Sequence, residues 1–300
     1  MLAMNGRRRV GVVYNPLLPG AQELVAQVVN RLGLGKGALV GSVEDLEKRQ
    51  EEPLGIDLMV TVGGDGTILR AAKVAVLHDV PILGINMGRV GFMTEINAHD
   101  AVERLPHYLE NNLYMEERTM LQIRVVPSQK KAQRGSRRPK TAPMVSHALN
   151  EAVVGTGAVA RMATVRVAID GSLLTIYRAD AVIVATATGS TGYALSAGGP
   201  ILYPQSKDFL LKAVAVHQGL GNALVIPSTS HIQLTISSNG PATLTVDGFT
   251  DVSLREDDQV EAEASKYVAR FLRARPPSHY YSTLAQRLGL EQGGALRPRA

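Results

Sequence analysis

A glycine turn, Gly63-Gly64-Asp65-Gly66-Thr67, is the feature that most constrains the fold of this chain. It follows an apolar run at residues 56–62 and precedes apolar residues at helical spacing at 68–77. This order predicts a buried strand that leads through a tight turn into a helix. The first turn of a helix leaves backbone N–H groups unsatisfied at the positive end of its dipole. The turn therefore suits an anion, and phosphate is the usual one.

The carboxylate of Asp65 stands in the middle of this turn. A site that only holds phosphate gains nothing from a negative charge. A site that accepts a proton, or organises a metal ion beside phosphate, does gain from one. Aspartate is also a preferred helix N-cap, and a purely structural role for Asp65 is the alternative. The turn by itself leaves both interpretations open.

The composition is typical of a globular protein with two domains. The 300 residues exceed the size of one hydrophobic core, and no apolar run reaches the roughly 18 residues of a membrane span. The chain has no cysteine, which excludes disulfides, thiolate metal sites and a cysteine nucleophile. We therefore expect a cytoplasmic protein without a membrane partner.

The net charge of +5 is concentrated in one segment, because six lysine and arginine residues and no acid lie between residues 128 and 143. The segment has no apolar periodicity and contains Gly135, Ser136 and Pro139, which is typical of a solvated loop. It has no aromatic residue that could stack on a base. We expect no nucleic-acid partner.

Strands and helices alternate in residues 1–116, which predicts an α/β domain with a Rossmann-like parallel sheet. Residues 40–53 show no defined element. The predicted elements are strands at residues 9–15, 56–62 and 80–85 and helices at Ala21–Leu32 and 68–77. Ligands of such sheets bind at the carboxyl ends of the strands. The glycine turn and a second glycine-rich turn, at residues 86–92, both lie there.

Residues 117–274 predict an all-β domain of stacked sheets, because alternating apolar and polar residues replace the helical pattern. Three dipeptides between these segments are hairpin signals: Asp170-Gly171, Asn239-Gly240 and Asp247-Gly248. A helix-like segment follows, and we expect residues 275–300 to pack back on the first domain.

Two segments of the β domain contain more polar groups than a structural turn needs. Asn150-Glu151 places an amide beside an acid, and together they can grip a diol or a base edge. A turn residue beside a surface acid is the simpler interpretation of this pair. Residues 188–200 form a run of glycine and small hydroxyl residues with one tyrosine, Tyr193. A run of this length favours close approach of the backbone to a ligand.

Four motifs resemble, in this order, the signature of NAD kinases: residues 63–67, 86–92, 149–151 and 188–200. The first is shared with diacylglycerol and sphingosine kinases, whereas the last is far more specific. The resemblance covers residues 9–290. It implies an N-terminal α/β domain, a C-terminal β domain of the NAD kinase type, and a homo-oligomer (dimer or tetramer). The implied reaction transfers the γ-phosphoryl group of ATP to the 2′-hydroxyl of the adenosine ribose of NAD, with Mg²⁺ carried by ATP.

The resemblance also implies roles for individual residues. Asp65 is the implied base on the 2′-hydroxyl, and Asn150 and Glu151 hold the adenosine ribose or the adenine. Asp180 is the implied partner of the nicotinamide amide, and Phe92 packs in the pocket. The other implied contacts to ATP or the dinucleotide are Gly64, Gly66, Thr67, Arg70, Arg161, Arg178, Thr188, Ser190, Thr191, Gly192, Tyr193, Ala194, Leu195 and Ser196.

Three positions depart from the NAD kinase pattern. Ala187 replaces a proline, Gly192 replaces a frequent alanine, and Phe249 stands where the family commonly has glutamine. We interpret Asp247 as a turn residue. Two alternative functions stay open: a lipid or sugar kinase built on the same glycine turn, and a dinucleotide-binding sensor without catalytic activity.

Overall fold

The computed structural model describes residues 8–35, 37–49, 51–88, 91–110, 113–129, 142–156, 162–237 and 242–290. The chain forms two compact units. One contains the described residues of Met1–Glu117 and Ala269–Ala300, and the other contains those of Arg118–Val268. Most of the basic segment lies outside the described residues. Within the described part of the chain, no helix is long and apolar enough to cross a membrane.

The first unit is a parallel sheet with helices, as the alternating pattern predicts. Its elements are β1 (Val10–Tyr14), α1 (Ala21–Leu32), β2 (Val40–Ser42), α2 (Val43–Lys48), β3 (Leu58–Gly63), α3 (Asp65–Ala75), β4 (Ile82–Asn86), β5 (Ile96–Asn97) and α4 (Ala98–Glu110). The strands lie in the order β5-β4-β3-β1-β2, and all pairs are parallel. Every residue of β3 and β4 is buried, which explains why both strands are continuous apolar runs.

Helix α1 has the bounds that its apolar spacing predicts. Leu24, Val25 and Val28 are buried, and Gly33 ends the helix in a left-handed conformation with φ 61°. The prediction missed β2 and α2, which have only three and six residues, because elements of that length are too short to show a period. Ser42 marks the start of α2, since its hydroxyl caps the helix by accepting the N–H of Asp45 at 3.1 Å.

The second unit consists of two antiparallel sheets. Its elements are β6 (Tyr114–Val126), β7 (Met144–Ala148), β8 (Glu151–Gly155), β9 (Ala163–Ile169), β10 (Ser172–Ala179), β11 (Ala181–Ala185), α5 (Tyr193–Ser196), β12 (Phe209–Val214), β13 (Leu224–Ile226), β14 (Ile232–Ile236), β15 (Ala242–Val246), β16 (Thr250–Leu254) and β17 (Gln259–Arg273). The first sheet has the order β13-β12-β11-β8-β15-β16. In the second, β10, β9, β14, β17, β6 and β7 each pair with the next.

One apolar core fills the space between the two sheets of this unit. Val154, Val184 and Phe209 of the first sheet share a cluster with Val165 and Leu234 of the second. The apolar residues that alternate along each strand point into this core, as in a β-sandwich. The prediction of stacked sheets is confirmed.

Two of the predicted hairpin turns have the expected backbone. Asp170 and Gly171 have φ of 51° and 78°, and Asp247 and Gly248 have φ of 49° and 75°. Two consecutive left-handed residues are typical of a type I′ turn, whose twist matches that of the strands. The Asn239-Gly240 dipeptide lies outside the described residues.

A buried arginine holds the end of β17 in the first unit, just before helix α6 (His279–Arg287). The side chain of Arg273 is 8% exposed and lies 3.4 Å from Glu95 Oε2 and 3.1 Å from Glu116 Oε1. It also donates to the carbonyl oxygen of Met93 at 2.9 Å. The hydroxyl of Tyr108 donates to Glu95 at 3.0 Å, so the buried carboxylate has several partners.

We predict that Arg273→Ala destabilises the first unit by about 3–5 kcal/mol, because it leaves the buried carboxylate of Glu95 and the partly buried carboxylate of Glu116 without their cation. Urea unfolding followed by circular dichroism measures this loss. The control is Arg31→Ala, which removes an exposed arginine from the last turn of α1 and should change stability by less than about 0.5 kcal/mol. Equal unfolding midpoints for the two variants would contradict the prediction.

Candidate functional site

The carboxylate of Asp65 binds the backbone of the second glycine-rich turn. Helix α3 begins at Asp65, and its N-cap is Gly64, which has no side chain that could cap the helix. The oxygens of Asp65 instead accept the N–H groups of Phe92 and Met93, at 2.9 and 3.0 Å. The interpretation of Asp65 as a helix N-cap is therefore wrong. Its side chain connects the turn after β3 to the turn after β4.

Gly91 makes this connection possible. A Cβ atom at this position would overlap Asp65 Oδ1, so any larger residue would push the two turns apart. The turns start side by side, because Gly63 and Asn86, the last residues of β3 and β4, are paired in register. The last glycine of the second motif, Gly91, thus has a steric cause.

The first turn of α3 has an open face. A Cβ atom at Gly64 or Gly66 would meet nothing within 4 Å. The side chain of Thr67 folds back against Gly63 and is buried. Backbone N–H groups at a helix start that is not covered by side chains can receive phosphate oxygens.

Arg70 points to helix α2. Its guanidinium binds Glu47 at 2.6 Å and Glu44 at 2.5 Å. The hydrogen bond to Glu47, the largest contribution, raises the pKa of Arg70 above its ordinary value. The structure therefore gives Arg70 a structural role between two helices, and its contact with a nucleotide stays a prediction.

In the second unit, a buried carboxylate organises the segment that contains Asn150 and Glu151. Asp247 accepts the N–H groups of Leu149, Asn150 and Glu151 at 2.8, 2.8 and 3.0 Å. Our interpretation of Asp247 as a turn residue is therefore incomplete. The Asp-Gly dipeptide is a strong hairpin signal, and nothing in the local sequence indicates this additional role.

The turn after β11 packs directly on Asn150. The N–H of Thr186 donates to the carbonyl oxygen of Asn150 at 2.8 Å, and the Thr186 hydroxyl donates to the carbonyl oxygen of Leu149 at 2.6 Å. A Cβ atom at Gly189 would overlap the backbone of Asn150. The structure thus brings the third and fourth motifs together.

Three buried polar atoms in this cluster have no hydrogen-bond partner among the described residues: Asn150 Oδ1, Glu151 Oε2 and Thr188 Oγ1. Burial, followed by the charge of Asp247, raises the pKa of Glu151 to about 7, and a backbone hydrogen bond from Tyr193 partly offsets these effects. Buried polar groups in native proteins are almost always hydrogen-bonded. These atoms are therefore candidate acceptors for a ligand or for ordered water.

The predicted binding run, residues 188–196, has two kinds of position. The Ser190 hydroxyl donates to the Ala187 carbonyl oxygen at 2.6 Å and accepts the N–H of Leu202 at 2.9 Å, so it stabilises the turn itself. The Thr191 hydroxyl donates to the carbonyl oxygen of Thr188 at 3.1 Å. Ala194 is buried in an apolar cluster. Tyr193 is 42% exposed and remains accessible to a ligand, together with the partly buried Gly192 and Leu195 and the exposed Ser196.

The remaining predicted residues lie at the surface or beyond the described part of the chain. Arg178 and Asp180 are exposed at the end of β10 and just after it. Phe249, which replaces the family's glutamine and is not among the predicted site residues, is 45% exposed at the tip of a hairpin. Arg161 lies outside the described residues. Across the described ranges, no group of three or more histidine, aspartate or glutamate side chains is placed to hold a metal ion.

The fold and the site are typical of a phosphotransferase. A parallel sheet presents an open helix N-terminus with a fixed carboxylate beside it, and a β-sandwich contains three buried polar atoms that have no partner among the described residues. Comparisons with known proteins identify the family. Residues 42–114 match the sequence model of the ATP-NAD kinase N-terminal domain, and residues 149–274 match that of the C-terminal domain.

Similar proteins cover nearly the whole chain. NAD kinase from Dehalococcoides mccartyi (strain CBDB1) is 36% identical over 94% of this chain and 96% of its own length. NAD kinase from Chloroflexus aggregans is 34% identical over 93% and 98%. An Archaeoglobus fulgidus NAD kinase in complex with ATP is 28% identical, with a TM-score of 0.67 over 93% of this chain and 99% of that one. Yeast NADH kinase complexed with NADH, at 22% identity, shares the fold with a TM-score of 0.79 over 99% and 91%.

The chain belongs to the NAD kinase family. It is an enzyme of the phosphotransferase class, and the family places its activity on NAD. The predicted fold class and the resemblance are confirmed. The alternatives of a lipid or sugar kinase and of a silent sensor are not supported.

We predict that Glu151 lowers thermal stability as the pH rises from about 4.5 to 7, because its pKa is about 7 in the folded protein and ordinarily 4.5. Between these values the folded protein retains a proton that the unfolded chain has released, so stability is lost through this window and levels off above it. The lowered pKa values of His147 and His279 act in the opposite direction, so the contribution of Glu151 is read from a comparison of variants. Glu151→Gln should flatten this part of the melting-temperature profile. Glu256→Gln, an exposed control in the same unit, should leave it unchanged. Parallel profiles for wild type and Glu151→Gln would contradict the prediction.

Proposed function

We propose that Asp65 is the base that activates the 2′-hydroxyl of the adenosine ribose of NAD for attack on the γ-phosphoryl group of ATP. The observation that carries this proposal is the pair of hydrogen bonds from Phe92 and Met93 to the carboxylate. They fix its orientation through one lone pair of each oxygen and leave the other lone pair for a substrate hydroxyl. An aspartate that only caps a helix or lies at the surface would not need these two hydrogen bonds.

In the proposed reaction, Asp65 takes the hydroxyl proton while the ribose oxygen forms a bond to the γ-phosphorus. The bond between the γ-phosphorus and the bridging oxygen breaks, and ADP and NADP result. Phosphoryl transfer demands positioning and charge stabilisation more than covalent chemistry from the protein. A positioned carboxylate at a poor nucleophile contributes on the order of 10²–10⁴ in rate.

We propose that the triphosphate lies at the first turn of α3. The open space beside Gly64 and Gly66 supports this location, since it lets phosphate oxygens reach backbone N–H groups. Magnesium is proposed as a companion of the triphosphate, because the described residues offer no cluster of three ligating side chains. When bound, it neutralises phosphate charge.

We propose that the adenosine part of NAD occupies the cluster around Asn150. The unpartnered atoms Asn150 Oδ1, Glu151 Oε2 and Thr188 Oγ1 support this proposal, because ribose hydroxyls and an adenine amino group are donors that these oxygens can accept. Tyr193 offers an exposed ring against the dinucleotide. The exposed carboxylate of Asp180 is the proposed acceptor for the nicotinamide amide.

The remaining contacts are proposed from the resemblance and from exposure. Gly192, Leu195 and Ser196 follow Thr188 closely in sequence and present accessible atoms, and Arg178 is exposed at the end of β10. A homo-oligomer, dimer or tetramer, is also proposed, and exposed leucines at the β9–β10 hairpin are consistent with a covered surface. Cytoplasmic location and the lack of nucleic-acid and membrane partners stay predictions.

Asp65→Asn should lower kcat by a factor of about 10²–10⁴, because the amide cannot accept the proton. NAD binding should survive, since the amide is nearly isosteric. NADP formation with ATP, NAD and Mg²⁺ measures kcat, and calorimetry measures NAD binding. Glu23→Gln, which neutralises an exposed carboxylate in the first turn of α1, is the matched control and should retain activity. Full activity of Asp65→Asn would refute the role as base.

Tyr193→Ala should raise KM for NAD about tenfold and KM for ATP by less than about twofold, because a ring that lies against the dinucleotide contributes on the order of 1 kcal/mol. Tyr193→Phe keeps the ring and should stay close to wild type in both constants. Steady-state kinetics with each substrate varied in turn measures the difference. Equal increases of both KM values would place Tyr193 outside the NAD site.

A further inference from the structure

Helix α6 brings a positive charge to Asp65 from a part of the chain that neither family model covers. It follows residue 274, where the C-terminal match ends, and has no buried residue of its own. Its last residue, Arg287, places Nη2 3.9 Å from Asp65 Oδ2. The guanidinium carbon also lies 5.0 Å from the centroid of the Phe92 ring. The sequence predicts a helix-like segment that packs back on the first domain, but it does not predict this contact with Asp65.

The geometry of this pair leaves the guanidinium able to bind something else. A separation of 3.9 Å is an ion-pair distance but is too long for a hydrogen bond. The hydrogen bonds that fix Asp65 come from the backbone of Phe92 and Met93 instead. The side chains of Arg287 and Asp65 are 33% and 24% exposed, so a ligand can reach both.

Phe92 contacts both Asp65 and Arg287. Its N–H donates to Asp65 Oδ2 at 2.9 Å, and its ring lies under the guanidinium of Arg287. A guanidinium within about 6 Å of an aromatic ring is attracted to the ring face, so Phe92 helps to keep Arg287 at this place. The second glycine-rich turn therefore positions a carboxylate and an arginine together.

We propose that Arg287 binds the transferred phosphoryl group of ATP, with its N–H donors on the γ-phosphate oxygens. This inference rests on the proposed function of Asp65, which places the γ-phosphoryl group beside this carboxylate. A carboxylate alone repels the triphosphate, and an arginine at the same point offsets the repulsion. The planar guanidinium matches two phosphate oxygens, which makes arginine suited to this contact. The substrate ribose and the phosphoryl group would thus meet between the two charges.

The variants Arg287→Ala and Arg287→Lys test this proposal. We expect Arg287→Ala to weaken binding of the ATP analogue with an NH group between the β- and γ-phosphates about tenfold, because it removes charge-assisted hydrogen bonds. Binding of ADP should change by less than about twofold, because ADP lacks the γ-phosphate. Lysine should restore part of the difference, since it supplies charge without the fork. Calorimetry in the presence of Mg²⁺ measures both ligands, and kinetics should show a rise in KM for ATP with KM for NAD unchanged.

Two control variants change residues that are not proposed to contact phosphate. Gln286→Ala alters the neighbouring exposed position of α6, and Arg31→Ala removes an exposed arginine of α1. Both should bind the analogue and ADP as wild type does. Equal weakening of analogue and ADP by Arg287→Ala, or no weakening of either, would overturn the proposal.

The Asp65→Asn background separates this proposal from the role of Asp65. If Arg287 binds phosphate, Arg287→Ala should weaken the analogue in this background as well. If its effect disappears there, Arg287 acts only through Asp65 and the proposal is overturned. If Asp65→Asn keeps full activity while Arg287→Ala still weakens the analogue selectively, the base assignment fails and the phosphate contact stands.

Discussion

The site in the first unit depends on one interaction, the acceptance of two backbone N–H groups by the carboxylate of Asp65. It joins the turns that follow two adjacent parallel strands. Gly91 is required because its missing side chain is the space that Asp65 occupies. The next residue but one, Met93, accepts a hydrogen bond from the buried Arg273, which connects the turn to the end of β17. Arg273, which also pairs with Glu95 and Glu116, therefore helps to fix the position of the second glycine-rich turn.

The second unit contains the same type of interaction, a carboxylate that accepts consecutive backbone N–H groups. Asp247 accepts three consecutive N–H groups and thereby fixes the bend that presents Asn150 and Glu151. The negative charge of Asp247, together with burial, also raises the pKa of Glu151. A carboxylate that binds consecutive N–H groups replaces a regular element where the chain must turn, because it satisfies donors that would otherwise be buried without partners. In both units, the bend that the carboxylate fixes presents polar groups that are exposed or have no partner among the described residues.

Much of the fold followed from local patterns. Continuous apolar runs identified β3 and β4, helical spacing together with Gly33 identified α1, and Asp-Gly dipeptides identified two hairpins. The sequence pattern did not predict α2, because six residues are too few for a periodic signal. It also could not distinguish hydroxyls that bind ligand from those that hold a turn, such as Ser190, because both occur in the same run of small residues. The resemblance implied a nucleotide contact for Arg70, and only the structure revealed its ion pairs with Glu44 and Glu47 of α2.

The sequence alone determined the class of each unit, the order of the four motifs and the family that they indicate, because these depend on periodicity and on residue types a few positions apart. The tertiary structure decided what each polar group does. Asp65 and Phe92 are distant along the chain, as are Asn150 and Asp247 and, further still, Asp65 and Arg287. No local pattern encodes such pairs, since they form only when separate strands end at the same edge or when a terminal helix returns to its unit. Packing and backbone hydrogen bonding therefore decided which of the candidate residues became a site.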